Sequence, residues 1–275
     1  MKFDSNRAWE HLRRQVSFGP RPVNSAALAE TRRYIVDQLK ASGIETREQP
    51  FEPDTPIGRV PMVNLIATIK GSRPERIAIA THYETKLSRE SRFVGASDPA
   101  SSVAAVLELA RVLARRQSPY TIELLFFDGE EAINRDWRDP DNTYGSRHYV
   151  EAARKDGTLA GLKALVLLDL IGDRNLNVKR EANSTPWLAE IVWGSAKKLG
   201  YDRYFVDEDT GAISDDHLAF LKAGVPAVDI IDLEYPAWHT PQDDLDAVSA
   251  RSLQVVGDVV LESLPRVEQR LASGR

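Results

Sequence analysis

Two apolar runs, Leu124-Leu-Phe-Phe127 and Ala164-Leu-Val-Leu-Leu168, constrain this chain more than any other feature. Neither alternates with polar residues, which is the pattern of a strand covered on both faces. Such strands need helices on either side, and the hydrophobic spacing predicts them. Helices are expected over 5–16, from an N-cap at Asn24 or Ser25 to a stop at Gly43, over 186–199, over 214–223 and over 248–271. Another is expected over 99–115, where Val103, Val106, Leu107 and Ala110 recur at helical spacing. Strands are expected over 44–49, 63–70, 77–81, 122–127, 164–170 and 227–231. Alternation of this kind predicts an α/β fold, a three-layer α/β/α sandwich around a central mixed, mostly parallel sheet. With no repeat, low-complexity tract or Gly/Ser linker, a single domain over 1–275 is expected.

Composition removes several function classes. Lys+Arg 36 against Asp+Glu 41 leaves a net charge of −5, so the basic excess of a general nucleic-acid or anionic-membrane binder is missing. The absence of cysteine excludes disulfides, a thiolate nucleophile and sulfur-bound metal. No apolar run is long enough for a membrane span. The first residues run into a charged helix without the pattern of a signal peptide.

Sheets of this type bind ligands at the carboxyl ends of their strands, and the residues expected there are unusual. The 77–81 strand leads into His82-Tyr83-Glu84. Leu124–Phe127 is followed by Asp128-Gly129-Glu130-Glu131, and Leu165-Val-Leu-Leu168 by Asp169. Asp98-Pro99 opens a helix, and the last strand leads to Trp238-His239. Five segments thus deliver histidine or carboxylate to one rim. Charges there are costly to bury unless paired or bound to a cation, and this donor set without sulfur suits a catalytic zinc. Each residue also has a plainer reading. Asp98 before Pro99 reads as an N-cap with proline at the first helical position, a role compatible with ligation. An isolated Glu-Glu reads as a solvated turn, but this pair directly follows buried residues and a glycine. Adjacent carboxylates point in different directions, so one can hold a metal while the other stays free as a base. His11, His148 and His217 read as structural.

In these segments the chain resembles the zinc-dependent peptidase M28 family and, within it, the glutaminyl-peptide cyclotransferases (glutaminyl cyclases). The likeness runs from Phe18-Gly-Pro-Arg-Pro22 to the last helix. It rests on His82-Tyr-Glu-Thr-Lys86, Phe93-Val-Gly-Ala-Ser-Asp98, Phe126-Phe-Asp-Gly-Glu-Glu-Ala132, Tyr144-Gly-Ser-Arg-His148, Leu167-Leu-Asp-Leu-Ile-Gly172, Asp215-Asp-His217 and Trp238-His239, in that order. The resemblance implies Asp98, Glu131 and His239 as ligands of one zinc, Glu130 as general acid/base, and Asp169 and Asp215 as carboxylates around that base and the substrate amine. It implies Trp137 and Trp238 as pocket walls. In the M28 aminopeptidases two zinc ions are held, and His82 and Asp169 would then join a bridging Asp98 at the second. Two departures stand out. Glu84 occupies a position where both groups usually carry aspartate, which the resemblance implies would weaken a second metal site through the orientation of His82. Asp229 stands where animal cyclases carry histidine. The absence of cysteines suggests a bacterial type, periplasmic or secreted where an export signal precedes the chain.

Two enzymatic readings follow. A glutaminyl cyclase would convert the N-terminal glutamine of peptides or proteins to pyroglutamate with release of ammonia, using one zinc. A zinc aminopeptidase would instead use Glu130 to deprotonate water for attack on the first peptide bond, with one or two zinc ions. The third reading, a non-enzymatic binding protein on the same scaffold, sits poorly with intact metal and base positions.

Overall fold

The computed structural model describes residues 2–88, 90–134 and 136–274. Its centre is a six-stranded sheet built from β1 (Thr46–Phe51), β4 (Met62–Ile69), β5 (Arg73–His82), β6 (Tyr120–Phe127), β7 (Leu162–Asp169) and β10 (Ala227–Ile231). The order is β1-β4-β6-β5-β7-β10. β1 and β4 pair antiparallel, as do β4 and β6, whereas β6, β5, β7 and β10 run parallel to one another. The sheet is therefore mixed, as expected. Two small ribbons flank it, β2 (Asp54–Thr55) with β3 (Gly58–Arg59), and β8 (Val178–Glu181) with β9 (Phe205–Gly211).

The period-2 geometry of the strands sorts the core into two layers. Ile77, Ile79, Leu124, Phe126, Ala164, Val166 and Leu168 face one side. There they meet α1 (Ser5–Ser17), α2 (Ala26–Ala41), α3 (Ser102–Leu113), α5 (Pro186–Lys198) and α7 (Ala250–Ala272). Their chain neighbours Ala78, Ala80, Leu125, Phe127, Leu165 and Leu167 face the other side, against α4 (Tyr144–Lys155) and α6 (His217–Lys222). Both apolar runs are thus covered on both faces, because side chains of successive residues feed different layers. Burying one such leucine or phenylalanine is worth roughly 1.5–3 kcal/mol relative to exposure.

Local chemistry sets the helix ends. Asp4 accepts hydrogen bonds from the amides of Asn6 and Arg7 at the start of α1, and the Ser25 hydroxyl accepts from Leu28 N at the start of α2. Pro186 occupies the first helical position of α5. The helix predicted over 99–115 begins instead at Ser102. Asp98 has φ −113° and ψ 93°, and its side chain caps nothing; a short irregular turn, Ala96–Ser101, precedes the helix. The capping reading of Asp98 is corrected accordingly. α4 falls in a stretch read from sequence only as a motif.

Because β5, β6, β7 and β10 are parallel, their carboxyl ends share one edge of the sheet. His82 closes β5, Asp169 closes β7, and Glu130 and Glu131 follow β6 through the turn at Gly129.

Candidate active site

Glycine is required at the turn after β6. Gly129 has φ +78°, and a Cβ there would lie 2.4 Å from Sδ of Met62. The turn sends the two glutamates apart. Glu131 Oε1 lies 2.9 Å from Nε2 of His239, whereas Glu130 Oε2 lies 3.7 Å from Nδ1 of His82. Asp98 sits between the histidines. Its Oδ1 is 3.2 Å from His82 Nε2 and its Oδ2 is 3.3 Å from His239 Nε2. Asp169 Oδ1 closes the first group at 3.3 Å from His82 Nε2.

Two triangles of donors result, Asp98–Glu131–His239 and His82–Asp98–Asp169, sharing Asp98. A tetrahedral zinc with ligands at about 2.0–2.1 Å holds neighbouring donor atoms about 3.3 Å apart. The separations to the histidine nitrogen, 2.9 and 3.3 Å in the first triangle and 3.2 and 3.3 Å in the second, lie near that spacing, so both donor sets suit a zinc ion. The ligand atoms are hard oxygen and imidazole nitrogen, as a sulfur-free catalytic zinc requires.

The protonation pattern follows from burial and charge. Burial works against ionisation of Asp98, but its contacts with His239 and His82 outweigh it and hold the carboxyl below its ordinary range. Burial alone would lower the His239 pKa; the carboxylates of Glu131 and Asp98 instead raise it to about 10. Burial pushes Glu130 well above the usual glutamate value against the opposing charge of His82, with Asp215, Glu131 and Asp216 adding to the rise. Asp169 is raised to about 7 by burial, opposed by His82, and Asp215 is raised for the same primary reason.

A cavity of about 220 Å³ opens over these groups. Asp98, Glu130, Glu131, Asp169, Asp215, Trp137, Trp238 and His239 all line it, so every residue expected to bind substrate, act as base or hold the first zinc meets at one place. His82 lies beneath, 2% exposed. Trp238 is 42% exposed and stacks on His239, with ring centroids 4.3 Å apart. Leu170, Ile213, Ile231 and Leu233 complete an apolar wall. None of these was picked out from sequence, since an apolar residue after a strand carries no signal of what it faces.

The other polar residues of these motifs have partners of their own. Glu84 Oε1 accepts the Glu131 amide at 3.0 Å and stands 3.7 Å from His82 Nδ1, which has no hydrogen-bond partner among the described residues. Glu84 therefore hydrogen-bonds the backbone of Glu131 and meets the His82 ring only at ion-pair distance. Asp128 accepts from Val63 N and Tyr83 OH and belongs to the sheet edge. Lys86 Nζ lies 3.4 Å from Glu131 Oε2, placing a cation beside the ligand set. His217, fully buried, lies between Glu181 and Asp229, with Nε2 3.2 Å from the former and Nδ1 3.5 Å from the latter. His11 bonds Tyr34 OH, and His148 stacks on Phe51. All three histidines lie outside the cavity lining.

The six-stranded mixed sheet between helical layers, with these donors on one edge, has the α/β architecture of the zinc-exopeptidase-like proteins. The family model for peptidase family M28 matches residues 64–264, and the chain belongs to that family. Its relatives include a glutaminyl-peptide cyclotransferase of Drosophila melanogaster, 30% identical over 266 residues that span 86% of this chain and 75% of the relative. A crystal structure of Acidobacteriales bacterium glutaminyl cyclase superposes with a TM-score of 0.93 at 39% identity, covering 98% of this chain and 96% of that one. A leucine aminopeptidase precursor from Bacteroides thetaiotaomicron VPI-5482 superposes with a TM-score of 0.88 at 28% identity, covering 96% and 97%.

Proposed function

We propose that this protein is a zinc-dependent glutaminyl-peptide cyclotransferase that converts N-terminal glutamine to pyroglutamate and releases ammonia. The observation that carries the reading is a buried glutamate, Glu130, outside both Asp98 triangles yet in the same cavity as Asp98, Glu131 and His239, with Trp137 and Trp238 as walls. The names of the relatives support it.

Asp98, Glu131 and His239 would hold the zinc, which when bound supplies Lewis acidity toward the side-chain carbonyl oxygen of the glutamine. The α-amine forms a bond to that carbonyl carbon, and the bond to the amide nitrogen breaks. Glu130 takes the proton lost by the amine and returns it to the departing nitrogen, so no water is consumed. Burial favours its neutral form, which suits the half in which it returns the proton. Asp169 and Asp215, which line the same cavity, would accept hydrogen bonds from the amine. Trp137, Trp238 and the apolar wall pack the substrate and exclude water, the competing nucleophile. The substrates are peptides or proteins with glutamine first.

A second reading, M28 aminopeptidase, is favoured by one observation: His82, Asp98 and Asp169 form a second complete triangle. Incubation of a glutamine-initiated peptide with the zinc-loaded protein, followed by mass spectrometry, separates the two. Loss of one ammonia from an otherwise intact peptide is expected. Release of the first residue would replace the cyclase reading with the aminopeptidase one.

A further inference from the structure

The donor triangle is assembled from distant parts of the chain, and one buried carboxylate joins the two loops that bring Asp98 and His239 together. Asp243 is fully buried. Its Oδ1 accepts from Ser97 N at 2.7 Å and its Oδ2 from Asp98 N at 3.1 Å, across 146 and 145 residues of sequence. Its carbonyl accepts from Ala96 N at 3.2 Å. The turn carrying Asp98 is thus gripped at three successive amides. Toward the other loop, Oδ1 also accepts from the Tyr235 hydroxyl at 2.7 Å, and the Asp243 amide donates to the Thr240 carbonyl at 3.1 Å. Those two contacts bracket His239, which sits in the left-handed region at φ +55°. From behind, the buried Arg21 guanidinium donates to the Val94 and Gly95 carbonyls at 2.8 and 3.2 Å.

We infer that Asp243 is a positioning residue that sets the spacing between Asp98 and His239 and hence the affinity and geometry of the metal site. It rests on the metal reading above, and cyclase turnover is not needed to test it. Asp243 touches neither candidate ligand side chain; it acts by holding the amide of one ligand and the turn of another. Loss of an outer partner bonded to a ligating group itself typically costs about 10–100-fold in metal affinity, and a hold on the ligand backbone acts on the same geometry.

The experiment measures zinc affinity by chelator competition in the full chain, with the visible d–d absorption of the cobalt-loaded protein as a report on ligand geometry. Melting of the metal-free protein is followed in parallel. Asp243→Asn, which turns an acceptor pair into one acceptor and one donor, is expected to lose about 10–100-fold in zinc affinity and to shift the cobalt spectrum. Tyr235→Phe removes one hydroxyl and keeps the packing, so it is expected to fold as the parent does, with a smaller loss in the same direction. Wild-type affinity and an unchanged cobalt spectrum in both variants would overturn the inference. If Asp243→Asn does not fold, Tyr235→Phe decides alone by the same criterion. An unmutated protein that binds no zinc refutes the metal reading itself, and the inference with it.

Discussion

Glu130 and Glu131 are neighbours in the chain but serve different groups: Glu131 Oε1 stands 2.9 Å from His239 Nε2, while Glu130 Oε2 stands 3.7 Å from His82 Nδ1. In the proposed roles, metal holding and proton transfer are therefore separable by mutation. Glu130→Gln is expected to keep its zinc content and to lose about 10²–10⁴-fold in kcat, the usual worth of a positioned acid/base. Steady-state kinetics beside metal analysis checks it, and a fully active variant removes Glu130 from its role.

The two triangles should not be equal. Glu84 bonds the Glu131 amide and stands 3.7 Å from His82 Nδ1, beyond hydrogen-bond distance, so the Asp98–Glu131–His239 site is expected to bind zinc at least about tenfold more tightly than His82–Asp98–Asp169. Competition titration should give one tight zinc per chain, and His239→Ala should abolish it. Two equally tight ions would speak for the aminopeptidase reading.

Zinc affinity should rise with pH. In the metal-free protein the carboxylates around His239 raise its pKa to about 10, so its ring is protonated at neutral pH and must lose that proton to ligate. Between pH 6 and 9 the apparent affinity is expected to increase by up to about tenfold per pH unit. Calorimetry in buffers of different ionisation enthalpy should show proton release; a pH-independent affinity without release contradicts the assignment of His239.

His11 makes a separate prediction about stability. Burial, aided by Arg7, lowers its pKa from 6.5 to about 4, so the fold favours the neutral ring bonded to Tyr34. Its contribution is fully present above pH 6.5 and is lost as pH falls from 6.5 toward 4. Between pH 6.5 and 5 this amounts to at most about 2 kcal/mol. Denaturant midpoints should fall less steeply over that window in His11→Gln than in the parent; parallel slopes would refute the assignment.

The strands were the most legible part of the fold, because a doubly covered strand leaves a continuous apolar run. β10 keeps its predicted bounds, 227–231. β5 reaches further at both ends, to Arg73 and His82, since pairing with β6 and β7 extends beyond the apolar centre. The start of α3 was misread because a local rule, aspartate before proline as a cap, competed with the attraction of two histidines for the same carboxylate. α4 lacked a start signal, for no side chain caps it.

By itself the sequence determined the layered α/β class and the chemistry of the rim, because burial period and donor type are properties of residues. Through the resemblance that its motifs carry it also named the acidic residues, the histidine and the two tryptophans that meet in the cavity, but not the apolar wall. Only the tertiary structure decided that Asp98 divides its oxygens between His82 and His239, that Glu84 serves a backbone amide, and that Asp243 ties the two ligand loops together. Those are relations across as many as 145 residues of chain, set by which loops the parallel sheet brings to one edge, and no local pattern encodes a distance.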